Sequence, residues 1–210
     1  MTRRWSVIVP VKGDAAAKSR LRVDDELRGA LALSFATDTI SAALAVPEVA
    51  EVIVVGPASL ETTVRGLGAR RVDEPSGDGA GRSRLNSAIR EGLRRVRDPR
   101  HATAVLLGDL PRLRPAELAT ALTAVRTPRG LVPDASGAGT VLTTALAGVR
   151  HVPLFGDGSA ARHRAVGYVP IPLLGPPSMH IGLRGDVDTI ADLGSTTDRV
   201  LGPATRAALR

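Results

Sequence analysis

The stretch Ala104-Val105-Leu106-Leu107-Gly108-Asp109-Leu110-Pro111 decides how the chain is read. Its continuous apolar run predicts a strand covered on both faces, as in the middle of a parallel sheet. Pro111 lacks the N–H needed to continue the ladder. A buried parallel strand delivers its last residues to the carboxyl edge of the sheet, where open α/β folds bind ligands. Here that edge presents a carboxylate, Asp109, beside Gly108, which leaves room for a close approach. The alternative reading makes Asp109 the cap of a turn.

Working outward, apolar runs alternate with helical patterns, the sign of βαβ units. Strands are expected at Ser6 to Val11, Glu51 to Val55 and Arg70 to Val72, and shorter ones near Leu131, Val141 to Leu146 and Val166 to Ile171. Helices are expected from about Asp25 to Ala45, Leu60 to Leu67, Asn86 to Val96, Pro115 to Val125, Ser159 to Arg164 and Val187 to Leu193. The turn-rich segment from Asp73 to Ser83 is too long for a minimal connector and is a candidate binding loop. Together these predict an α/β fold with a central, mostly parallel sheet. At 210 residues the expectation is a single domain over residues 1–210.

Composition narrows the function. Charged residues make up 23% and apolar residues 43%, which is ordinary globular usage. The most apolar segment, Leu31 to Val46, is interrupted by Thr37, Asp38 and Thr39, so no membrane span is expected. With no cysteine and no visible secretory signal, a cytoplasmic protein is expected. The net charge of +7 suits an anionic ligand. The cations are spread along the chain, and aromatics for base stacking are few, so nucleic acid is not the expected partner. Lysine occurs only as Lys12 and Lys18, near the N-terminus of an otherwise arginine-rich chain, a bias that hints at sites needing a compact ammonium group.

Three more constellations carry chemistry. In Lys12-Gly13-Asp14-Ala15-Ala16-Ala17-Lys18-Ser19-Arg20, directly after the first strand, small residues and three cations offer amides and positive charge to a triphosphate. Neither the Walker pattern nor the dinucleotide glycine fingerprint is present. In Asp186-Val187-Asp188, an extended backbone puts both carboxylates on one face, about 6.6 Å apart, able to share a hard cation with Asp109. The alternative makes Asp188 a helix N-cap and Asp186 a solvated turn residue. In Phe155-Gly156-Asp157-Gly158-Ser159, glycines precede a helix start and form an anion pocket, with Thr140 supplying a further hydroxyl. His163 reads as a surface residue with no catalytic role.

Taken together, Val9-Pro10-Val11-Lys12 with Ala17-Lys18-Ser19-Arg20-Leu21, Leu85-Asn86-Ser87-Ala88-Ile89, Gly108-Asp109-Leu110-Pro111, Phe155-Gly156 to His163, and Asp186-Val187-Asp188-Thr189 resemble the 2-phospho-L-lactate and phosphoenolpyruvate guanylyltransferase family of coenzyme F420 biosynthesis. These blocks stand in family order and cover nearly the whole chain. The resemblance implies a glycosyltransferase-A-like nucleotidyltransferase fold that uses GTP and Mg²⁺. It implies metal ligation by Asp109, Asp186 and Asp188, and acceptor binding by Thr140, Gly156 and Ser159. A shifted alignment would put Thr143 in the place of Thr140.

With the residue chemistry, it also implies that Lys12 and Lys18, with Asp109, serve catalysis, and that Lys12, Lys18, Arg20 and Asn86 bind the nucleotide. Phosphoenolpyruvate or a related small phospho-acid is the expected acceptor, with the downstream F420 transferase as a partner that takes the product. The alternatives are a nucleotidyltransferase acting on 3-phosphoglycerate, a molybdopterin or a sugar phosphate, and a non-catalytic basic module that binds nucleotides or RNA.

Overall fold

The computed structural model describes residues 3–12, 23–75, 82–175, 177–187, 189–193 and 200–210. In chain order the elements are β1 (Trp5–Pro10), α1 (Asp25–Leu44), β2 (Val49–Val55), α2 (Glu61–Gly66), β3 (Arg70–Val72), α3 (Arg82–Arg94), β4 (Ala102–Leu106), α4 (Pro115–Ala124), β5 (Arg129–Pro133), β6 (Thr140–Ala145), α5 (Ser159–Ala165), β7 (Val169–Pro170), α6 (Ile181–Arg184) and α7 (Pro203–Ala208). The strands form one seven-stranded sheet in the order β3-β2-β1-β4-β6-β5-β7. Only β6 runs against its neighbours; the other described pairings are parallel.

The expected central strand, β4, is the middle strand of the seven. Alternation along the strands divides the core into two layers. Val7, Val9, Val52, Val54, Ala104 and Leu106 face one layer, with residues of α1, α2 and α4. Ile8, Val55 and Val105 face the other, with Ala88 and Ile89 of α3 and Phe155.

Helix α1 starts where Asp24 accepts the Leu27 N–H at 2.8 Å, with Asp25 and Glu26 in its first turn, where acidic side chains suit the helix dipole. Two of the polar residues that interrupt its apolar run, Asp38 and Thr39, are docking points. Asp38 accepts the N–H groups of Ala204 and Thr205, both at 2.9 Å, and the Thr205 hydroxyl at 2.6 Å. Thr39 Oγ1 accepts the Leu110 N–H at 3.1 Å, tying α1 to the exit of β4. Among the described residues no helix is long and apolar enough to cross a membrane.

Three expectations are corrected. The helix predicted from Val187 to Leu193 is only a 3-10 turn, Ile190–Leu193. The strand predicted from Val166 to Ile171 shrinks to Val169–Pro170, because α5 runs to Ala165, Gly167 turns the chain at φ +88°, and Pro170 cannot donate to a ladder. Helices α6 and α7 were not anticipated, being too short to show a helical period.

Candidate functional site

The carboxyl ends of β1, β2 and β4 and, because β6 is reversed, its amino end all open on the same edge of the sheet. Lys12 leaves β1 there as an exposed side chain, after Val11 closes the ladder through its N–H to the Val55 carbonyl at 2.9 Å. Gly108 and Asp109 leave β4 alongside. A Cβ on Gly108 would stand 3.1 Å from the Pro10 carbonyl oxygen and 3.2 Å from a Val11 methyl. The missing side chain therefore serves the packing of β4 against the end of β1.

Asp109 does not cap α4, whose N-cap residue is Arg114. Its carbonyl instead accepts the Val187 N–H at 3.1 Å, which brings the Asp186 segment to the end of β4. The anchor of that segment is apolar: Val187 is fully buried among Leu31 and Phe35 of α1 with Leu193 and Leu201. A second tie comes from Glu117 of α4, whose carboxylate accepts the Gly182 N–H at 3.0 Å and the Arg114 N–H at 2.8 Å. The backbone beside Asp186 thus lies against that of Asp109, far from it in sequence, and both residues are half-buried.

Asp188 lies outside the described residues. The turn that follows is capped by Thr189 and Asp192, whose carboxylate takes the Thr189 N–H at 2.6 Å and its hydroxyl at 2.9 Å. Among the described residues no group of three or more potential metal ligands occurs. The oxygen chemistry of Asp109 and Asp186, at the edge where β1 ends in Lys12, fits a hard divalent ion.

The second half of the site is hydroxylic. Thr140, the first residue of β6, and Ser159, the first of α5, are both buried, with their hydroxyl oxygens 3.1 Å apart. Thr140 Oγ1 lies 3.1 Å from His163 Nδ1, and His163 Nε2 accepts the Leu154 N–H at 3.0 Å. Thr143 belongs elsewhere: its hydroxyl and that of Thr103 hold the two ring nitrogens of His151, at 2.8 and 2.9 Å. The geometry therefore separates the two candidate threonines, leaving Thr140 beside Ser159.

Burial lowers the pKa of His151 to about 3, helped by His163 and Arg129. Burial, with Arg162 nearby, lowers that of His163 to about 4. Both imidazoles are neutral at pH 7. The expected surface histidine at 163 is fully buried, packed edge-on against Phe155 and Tyr168 with ring centroids 5.0 Å away in each case.

Gly156 has a φ of +112°, and a Cβ there would stand 2.9 Å from the Cγ and Cδ of Arg82. Arg82, at the start of α3, thus lays its aliphatic stem over the Gly156 loop, a cation that residue-by-residue reading overlooked. Asn86, one turn on, clamps the same loop: its Oδ1 accepts the Phe155 N–H at 2.9 Å and its Nδ2 donates to the Phe155 carbonyl at 3.1 Å. The structure thus brings Asn86 to the hydroxylic half of the site, with both ends of its amide engaged. Lys18 and Arg20 lie outside the described residues.

No family model matches the chain. Full-length relatives do. The chain is 46% identical to the phosphoenolpyruvate guanylyltransferase of Streptomyces coelicolor over 211 residues, covering 97% of this chain and 95% of that protein. It is 47% identical to that of Salinispora arenicola, covering 98% and 93%. The chain belongs to the phosphoenolpyruvate guanylyltransferase family.

Within this family, identity extends to Mycolicibacterium gilvum at 40%, over 97% of this chain and 94% of the relative. Solved structures agree on the fold. A nucleotidyl transferase from Methanothermobacter matches with TM-score 0.58 at 16% identity, covering 90% of this chain and 94% of that one. A 4-diphosphocytidyl-2C-methyl-D-erythritol synthase matches with TM-score 0.53 at 14%, covering 88% and 98%. The guanylyltransferase-family chain therefore has an α/β nucleotidyltransferase fold with a mixed, mostly parallel central sheet.

Proposed function

We propose that the protein, folded as one nucleotidyltransferase domain and acting in the cytoplasm, transfers GMP from GTP to phosphoenolpyruvate and releases pyrophosphate, with Asp109, Asp186 and Asp188 holding Mg²⁺. The observation that carries this reading is the bond from the Val187 N–H to the Asp109 carbonyl, which seats the Asp186 segment at the end of β4 beside the cation-bearing exit of β1. The names borne by the full-length relatives support the choice of GTP and phosphoenolpyruvate.

In this reading an oxygen of the acceptor's phosphate forms a bond to the α-phosphorus of GTP while the bond from that phosphorus to the bridging oxygen breaks. The leaving group is pyrophosphate. A phosphate is a competent nucleophile at neutral pH, so the site needs no strong base, and positioning with charge neutralisation does the work. Lys12, Lys18 and Arg20 neutralise the triphosphate, with Lys12 at the exit of β1. Asp109, Asp186 and Asp188 would hold the ion, which would supply positive charge against that developing on the phosphoryl oxygens. The Thr140–Ser159 pair donates its free hydroxyl hydrogen to the acceptor, the Gly156 loop brings backbone close to it, and Arg82 adds a cation over that loop. Asn86 supports the acceptor half from beneath, by fixing the Phe155 peptide. The product passes to the downstream transferase of coenzyme F420 assembly.

The test is incubation of the purified protein with GTP and Mg²⁺ and, separately, phosphoenolpyruvate, 2-phospho-L-lactate or 3-phosphoglycerate. Pyrophosphate release and product mass are measured. Release with phosphoenolpyruvate and a product of guanylylated mass is expected. No turnover with phosphoenolpyruvate, or faster turnover with another acid, would overturn the assignment.

A further inference from the structure

Proton counting in the buried trio of His163, Thr140 and Ser159 carries an inference beyond the family's reaction. The Leu154 N–H points at His163 Nε2 at 3.0 Å, so that nitrogen is an acceptor. A neutral imidazole that accepts at one nitrogen carries its hydrogen on the other. His163 therefore bears its proton on Nδ1, and that N–H donates to Thr140 Oγ1 at 3.1 Å. The two hydroxyls form one further bond, also at 3.1 Å.

The trio thus holds three hydrogens, the Nδ1–H and two O–H groups, while its internal bonds use two. Whichever hydroxyl donates to the other, one O–H is left over. Among the described residues neither hydroxyl has another partner, and Thr140 and Ser159 are only 3% and 1% exposed. A buried donor without an acceptor is costly, so the arrangement is completed by a guest that accepts.

We propose that His163 is a positioning residue whose Nδ1–H, by occupying Thr140 Oγ1 without taking a hydroxyl hydrogen, holds the Thr140–Ser159 pair as a net hydrogen-bond donor, and so selects an anionic oxygen of the acceptor. The proposal rests on the reading of Thr140 and Ser159 as the acceptor site. The opposite tautomer would reverse the effect. With Nδ1 bare, the Thr140 hydroxyl would turn inward to donate to it, and the pair would lose its surplus hydrogen. The Leu154 peptide therefore sets the sign of a site at the far end of the ring.

Two isosteric replacements separate this role from packing. His163→Asn keeps an N–H near the Nδ1 position, and His163→Gln keeps an acceptor near the Nε2 position. If the donor to Thr140 matters, His163→Gln raises the KM for phosphoenolpyruvate about tenfold, the scale of one charge-assisted hydrogen bond, while the KM for GTP stays within about twofold. His163→Asn then stays near the parent value. The opposite pattern, rescue by Gln and not by Asn, would assign His163 to holding the Leu154 loop and overturn the proposal, as would equal changes in both KM values.

Histidine-selective ¹⁵N NMR of the unmutated protein tests the tautomer directly and does not depend on any variant folding. A proton found on Nε2 of His163 would sink the idea. Ser159→Ala separates failure of the site reading: if it leaves the phosphoenolpyruvate KM unchanged, the acceptor lies elsewhere, whatever the tautomer shows.

Discussion

At the amino edge of the sheet, Glu51 accepts the Ser6 hydroxyl at 2.8 Å, the Arg97 N–H at 3.1 Å and the Arg70 guanidinium at 3.2 Å. At the carboxyl edge, the Thr140–Ser159 pair keeps a hydrogen for which the described protein offers no acceptor. Both edges are polar and hold strand-end residues, yet one closes on itself and the other stays open. A cavity of about 430 Å³ beside β2 and β3 makes the same point. Of the four arginines that line it, Arg65, Arg70 and Arg71 are paired with Glu51 or Glu61, and Arg97 gives its backbone N–H to Glu51. Among the described residues, unmet hydrogen bonding is what separates the candidate site from this cavity.

The contrast can be broken by substitution. The largest effect is expected for Asp109→Asn, which removes a charge from the open edge: turnover should fall by about a thousandfold or more, while the melting temperature moves by no more than about 2 °C. Steady-state rates and a thermal melt check this, and retained turnover would place the metal elsewhere.

Next come Thr140→Val and Thr143→Val, the same change of shape on one strand. Thr140→Val should raise the phosphoenolpyruvate KM about tenfold or more. Thr143→Val should leave that KM alone and cost about 1–3 kcal/mol of stability by orphaning a nitrogen of the buried His151 ring. Equal KM values for the two variants would erase the distinction between the threonines.

The smallest effect belongs to the closed edge. Glu51→Gln should lower stability by about 1–2 kcal/mol without changing the kinetics. Burial pushes the Glu51 carboxyl up, but the bonds from Ser6, the Arg97 N–H and Arg70 outweigh it and hold the group below its usual 4.5. A carboxylate with a lowered folded pKa contributes stability above its unfolded pKa, and that contribution disappears as pH falls through the folded value. Denaturation at a series of pH values should therefore show the parent converging on Glu51→Gln below about pH 4.5. A gap that persists unchanged in acid would remove Glu51 from this account.

Much of the fold was legible because it follows from local patterns. The apolar run at Ala104 announced the middle strand, and the turn residues around Gly156 announced a helix start at Ser159. The edge that carries the candidate site was legible for the same reason, since a parallel strand sends its last residues one way. His163 was misread because a helical histidine with no neighbouring carboxylate in sequence gives no sign of burial. Its partners come from Thr140 on β6 and from the Leu154 peptide. Asn86 and Arg82 were near the expected loop, but which atoms they touch depends on the fold of the Phe155–Gly156 segment.

The sequence by itself determined the α/β alternation, the central strand, the family and the residue types at the site, all of which depend on neighbours along the chain or on motif order. Tertiary structure alone decided that Val187 packs under Asp109, that Thr140 rather than Thr143 meets Ser159, and which nitrogen of His163 holds the proton. Hydrogen bonds act over about 3 Å with strict direction. Residues far apart in the chain meet that condition only after the sheet has brought them together.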